Sequence, residues 1–144
     1  MKPGPFPTAP RATEPVPPRA ALRMLYVEDN RINVILFEEA LRMRGGIELQ
    51  VAEDGGEALE RVQAWQPDVL VLDANLPDMS GFEVLARLRQ LPGLAATPAF
   101  MCSADAMDED LRRASEAGFV GYWTKPINIA RVMEDLDRLV EPSR

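Results

Sequence analysis

Histidine is absent from the 144-residue chain. Its absence excludes imidazole general bases, His-ligated zinc and Ser-His triads. A single cysteine, Cys102, leaves no partner for an internal disulfide, and its place in an apolar stretch reads as a small packed hydrophobe. No apolar run approaches the ~20 residues that cross a bilayer. The amino end carries prolines where a signal peptide needs an apolar stretch. Basic residues are in deficit, 16 against 23 acidic ones for a net charge of −7, so a nucleic-acid footprint is not expected. These absences leave a cytoplasmic, soluble protein with no membrane and no nucleic-acid partner.

The chain has the length of one domain and is 47% apolar, enough for a core. Seven of the 13 prolines fall within the first eighteen residues. Residues 1–20 are therefore expected to form a Pro-rich, disordered linker or leader, since such a stretch buries too little to offset its ordering entropy. The leader holds Lys2, Arg11 and Arg19 against Glu14, so the acidity belongs to the rest of the chain. From Arg23 onward, strand and helix patterns alternate. RMLYV, IELQVA, VLVL, PAFMC and VGYWT read as five strands. Between and after them, helical stripes run through Val34, Phe37 and Leu41, through Leu59 and Val62, through Leu85 and Leu88, through Leu111 and Ala114, and through Ile129, Val132, Leu136 and Leu139. Five strand–helix units with short connections predict an α/β fold, a parallel sheet with helices on both faces. Ligands bind such folds outside the carboxyl ends of the strands.

Asp73 closes the apolar run VLVL. Taken alone, an Asp there is most simply a turn former. The other strand ends change its meaning. Glu28 and Asp29 follow the first strand, Ser103 the fourth, and Lys125-Pro126 the fifth. Individually these are capping residues, a turn hydroxyl and a solvated charge; together they share one rim. Carboxylates crowded to about 4 Å repel by ~4 kcal/mol per pair at an effective dielectric near 20, which a divalent cation relieves. Hard oxygen ligands without imidazole or thiolate suit Mg2+ or Mn2+ rather than zinc. A carboxylate beside a metal, an ammonium and a hydroxyl is equipped to accept a phosphoryl group.

VEDN at 27–30, LDANLPDMSG at 72–81, MCSADA at 101–106 and YWTKP at 122–126, in that order, resemble the receiver domains of two-component response regulators. The resemblance implies a receiver domain over 21–144 with the flavodoxin-like, doubly wound (βα)5 sheet in strand order 2-1-3-4-5. It implies that Asp73 is the phosphoacceptor, that Asp29 ligates Mg2+ directly and that Glu28 helps through water. The backbone carbonyl of Asn75 would complete the metal shell. Ser103 and Lys125 would hold the phosphoryl group, and Tyr122 would swing inward as Ser103 moves. Asn75 and Asp105 would tune the lifetime of the phosphorylated state. The Lys125-Pro126 bond would be cis. Ala74 and Trp123 depart slightly from the usual pattern, and neither removes a chemical group.

On this reading the chain is not an enzyme in the ordinary sense; it promotes only its own phosphorylation and dephosphorylation. The partners implied are a sensor histidine kinase or histidine phosphotransferase as donor, and a downstream protein on the face of the fourth helix, fifth strand and fifth helix. On that face Tyr122 would change what a partner meets beside Trp123 and the Leu111 helix. A homodimer formed on phosphorylation is compatible with the reading. No output segment follows the fifth unit, so a single-domain regulator or a receiver from a hybrid sensor kinase is expected. Two rivals remain. A haloacid-dehalogenase-type phosphohydrolase would need a second Asp where Asn75 stands, and a non-phosphorylated docking module would lack an acid or the lysine.

Overall fold

The computed structural model describes residues 21–140; the Pro-rich leader lies outside them. Five strands and five helices alternate: β1 (Leu22–Val27), α1 (Arg31–Arg44), β2 (Ile47–Ala52), α2 (Gly55–Arg61), β3 (Val69–Asp73), α3 (Gly81–Leu88), β4 (Ala99–Ser103), α4 (Asp108–Ala117), β5 (Gly121–Thr124) and α5 (Ile129–Val140). All pairings are parallel and the order is β2-β1-β3-β4-β5. This is the flavodoxin-like doubly wound order, with its reversal point at β1 and β3.

The two-residue period of the strands divides the core in two. Leu25, Val27, Leu70, Leu72, Ala99 and Met101 face α2, α3 and α4, where Ala58, Val84, Leu85, Leu88 and Ala114 meet them. Met24, Tyr26, Val69, Val71, Phe100, Cys102 and Trp123 face α1 and α5, against Val34, Phe37, Leu41, Val132 and Leu136. β3 is buried on both faces along its whole length, which is why its sequence is an unbroken apolar run rather than an alternating one. Each large side chain so buried contributes about 1.5–3 kcal/mol.

Local signals fix the helix ends. Asn30, Asp54 and Ser80 cap α1, α2 and α3 by accepting the backbone N–H three residues on. Gly45, at φ 77°, lets the chain leave α1 in a conformation that a side chain would disfavour.

Four expectations need correction. β3 and β4 run one residue beyond the apolar patterns VLVL and PAFMC, so Asp73 and Ser103 are the last residues of their strands and not the first past them. Leu111 is 40% exposed and Ile129 38% exposed, because α4 touches the sheet through the smaller Ala114, and Ile129 opens α5 at its solvent end. Trp123 is buried, its ring stacked on Phe100 with centroids 4.5 Å apart, so it forms part of the core and not of a partner surface.

Candidate functional site

The reversal in strand order leaves a crevice outside the carboxyl ends of β1 and β3, and the acidic residues gather there. Oxygens of Glu28, Asp29 and Asp73 all lie within 4.8 Å of one another. Glu28 and Asp73 are buried, whereas Asp29 is exposed to the crevice mouth. Lys125 enters from the β5–α5 connection, and its Nζ donates to Glu28 Oε1 at 2.9 Å and to Asp73 Oδ1 at 3.1 Å. Its backbone N–H donates to the Ser103 carbonyl, tying the lysine to the end of β4. The Lys125-Pro126 peptide is cis.

The loop after β3 folds back on the strand. Gly81 N–H donates to the Ala74 carbonyl at 2.9 Å, and a Cβ at Gly81 would collide with the carbonyl oxygen of Asp73; only glycine permits the approach. Asp78 accepts the backbone N–H groups of Gly55 and Gly56, at 2.9 Å each, which straps the loop to the start of α2. These hydrogen bonds hold the Asp78 carboxyl below its ordinary value. Asn75, between the two anchor points, directs its N–H toward Asp73 Oδ1 at 3.5 Å.

Electrostatics follow from the crowding. Burial raises the pKa of Asp73 first, the neighbouring Glu28 charge raises it further, and the Lys125 hydrogen bond and charge oppose both. For Lys125, burial acts against the ammonium, but hydrogen bonds to Glu28 and Asp73 outweigh it and the pKa rises. Three carboxylates around one ammonium leave the crevice negative. An all-oxygen donor set with excess negative charge fits a hard divalent cation, so the acidic cluster is able to bind a metal.

The structure brings together Glu28, Asp29, Asp73, Asn75 and Lys125. Ser103 lies buried at the neighbouring strand end, where its Oγ accepts the Asp105 N–H at 3.1 Å. The Asp105 carbonyl in turn accepts the Tyr122 hydroxyl, so the ring is already turned against the β4–α4 connection and half-buried. Asp105 itself is exposed. Sequence reasoning passed over Tyr26, whose hydroxyl donates to Glu28 Oε1 at 3.2 Å. A signal was present: Tyr26 stands two residues before Glu28, on the same face of an extended chain. It also passed over Asp78, whose carboxylate straps the loop to α2.

The sequence profile of the response regulator receiver domain matches residues 24–137. The polar-differentiation response regulator DivK of Brucella anthropi is 33% identical over 113 residues, spanning 78% of this chain and 91% of that protein. The chemotaxis response regulator CheY4 of Vibrio cholerae shares the fold with a TM-score of 0.76 and 28% identity, covering 83% of this chain and 99% of that one. The Mn2+-bound form of response regulator Rcp1 shares it at 0.68 and 27% identity, covering 82% and 91%. The chain belongs to the response regulator receiver domain family, signalling modules that work between histidine kinases and downstream effectors.

Proposed function

We propose that Asp73 accepts a phosphoryl group from a phosphohistidine on a donor protein and that the resulting acyl phosphate switches the domain. The observation that carries this reading is the placement of Lys125 Nζ, 3.1 Å from Asp73 Oδ1, inside a cluster of carboxylates able to hold a cation. An Asp73 carboxylate oxygen forms the new bond to phosphorus. The phosphorus–nitrogen bond breaks, and its electron pair leaves on the imidazole. Lys125 and the Ser103 hydroxyl neutralise charge on the equatorial oxygens as it develops. Mg2+ bound by Asp29, Asp73 and the Asn75 carbonyl, with Glu28 acting through water, would supply the remaining positive charge. Mn2+ fits the same oxygen set.

The donor has a surface to meet. Ile32 and Leu36 of α1 are 68% and 63% exposed. Leu36 and Ile129, with Pro126 and Ile127, line a cleft of about 270 Å³ that Lys125 also lines. An apolar face continuous with the acceptor suits a protein that must bring a phosphohistidine to Asp73. Together with the histidine-free, acidic composition, this supports a cytoplasmic phosphorelay module, not a hydrolase: Asn75 offers no second carboxylate to activate water.

Incubation with a small phosphodonor and Mg2+, read by intact mass, tests the assignment. A single phosphoryl adduct is expected, lost with chelator and absent from Asp73→Asn. An undiminished adduct on Asp73→Asn, or one indifferent to chelator, would overturn it.

A further inference from the structure

Tyr26 is wholly buried in the middle of the sheet, with Val51 and Val71 beside it on the neighbouring strands. Its ring packs on Phe37, centroids 4.5 Å apart. A phenylalanine would fill that space as well, and a buried hydroxyl is costly unless paired. The hydroxyl is paired, and with a site residue: it donates to Glu28 Oε1, the oxygen that also receives Lys125. The other oxygen, Oε2, accepts the Asn30 N–H at 3.0 Å. Three donors from three directions therefore fix the Glu28 carboxylate.

We propose that Tyr26 is a positioning residue for the metal site, whose hydroxyl holds the Glu28 carboxylate in place for the cation and keeps it there when Lys125 turns to a phosphoryl group. The proposal rests on the phosphoacceptor reading above. Lys125 now divides its ammonium between Glu28 and Asp73. A phosphoryl group on Asp73 would draw that ammonium away, and Glu28 Oε1 would then keep Tyr26 as its remaining donor among the described residues. Burial, and after it the nearby charges, raise the phenol's pKa far above its ordinary value, so the hydroxyl stays a donor throughout the working pH range. Partners that orient a metal's direct ligands commonly change metal affinity 10–100-fold when lost, and Glu28 acts through water, so the lower end applies to Tyr26.

The test is Tyr26→Phe in the full chain, with Mg2+ affinity measured by titration calorimetry. Affinity should fall about tenfold, while the melting temperature without metal moves by only a few degrees. Phosphorylation by a small donor should slow at limiting Mg2+ and recover at saturating Mg2+, which a packing defect would not produce. In a Glu28→Asp background the shortened carboxylate is withdrawn from the hydroxyl, and Tyr26→Phe should then cost nothing more. Unchanged Mg2+ affinity in Tyr26→Phe, or an equal loss in both backgrounds, overturns the role of Tyr26 alone. Failure of the wild-type chain to bind Mg2+ overturns this role and the metal reading together.

Discussion

At the scale of single residues, the acceptor pays for its position in stability. The folded protein holds the Asp73 proton to higher pH than the unfolded chain does, because of burial first and Glu28 second. The folded state therefore binds more protons than the unfolded one between the two pKa values, and stability falls as pH rises through that window. Below the ordinary carboxyl value of 3.8 the penalty is absent; above the raised folded value it is complete. Asp73→Asn removes the charge while keeping the shape. In the presence of chelator it should melt a few degrees above wild type at neutral pH, and the gap should close as the pH falls below the ordinary carboxyl value. Mg2+ should stabilise wild type by about 2.7 kcal/mol at a hundredfold excess over Kd and leave the variant nearly unmoved. A destabilised Asp73→Asn at neutral pH would mean that the Lys125 pairing outweighs the repulsion.

At the scale of elements, the alternation of strand and helix was legible because burial is periodic. VLVL reads as a strand covered on both faces and is one, and the Val34, Phe37, Leu41 stripe lies inward as its spacing predicts. The clustering of Glu28, Asp29, Asp73 and Lys125 was legible because each stands at or just past a strand end, where topology gathers them. What escaped were groups whose environment comes from distant segments. Asp135 sits on the inward face of α5 beside Val132 and Leu136, where an apolar stripe predicts no acid. It is there because Trp123, in β5, presents an indole N–H that must be satisfied: Nε1 donates to Asp135 Oδ2 at 2.8 Å. Arg138 and Arg131 pair with the same carboxylate at 3.1 and 3.6 Å, but such exposed arginines add little, about 0–1 kcal/mol. Asp135→Ala should therefore cost about 1–3 kcal/mol in urea unfolding, the range for orphaning a buried donor. Asp135→Asn, which keeps an acceptor for the indole, should cost less than half as much. Equal losses would shift the stabilisation from the indole to the arginine pairs.

At the scale of the whole molecule, the candidate site and the surface beside α4 meet on the backbone of one residue, Asp105. Ser103 Oγ accepts the Asp105 N–H, and the Asp105 carbonyl accepts the Tyr122 hydroxyl. Tyr122 also lines a shallow groove of about 120 Å³ with Leu111, Ser115 and Val120, on the face of α4 and β5 where an output partner is proposed to bind. A phosphoryl group on Asp73 would accept the Ser103 O–H and draw the side chain toward it. As the Ser103 side chain swings toward the phosphoryl oxygens, its Oγ moves off the Asp105 N–H, and the loop that holds the Tyr122 ring must readjust. A hydrogen bond to a charged acceptor contributes about 1.5–3 kcal/mol, enough to move a two-state balance by one to two decades. Ser103→Ala should accept phosphate slowly and transmit little. Tyr122→Phe should be phosphorylated at nearly the wild-type rate yet show a weaker response across the groove. Amide NMR shifts with and without a beryllofluoride phosphate mimic separate the two steps: in wild type the largest changes outside the acceptor loop should fall in residues 104–126, and both variants should reduce them. If those changes avoid 104–126 in wild type, or persist undiminished in Ser103→Ala, the Asp105 backbone is not the link between acceptor and output face.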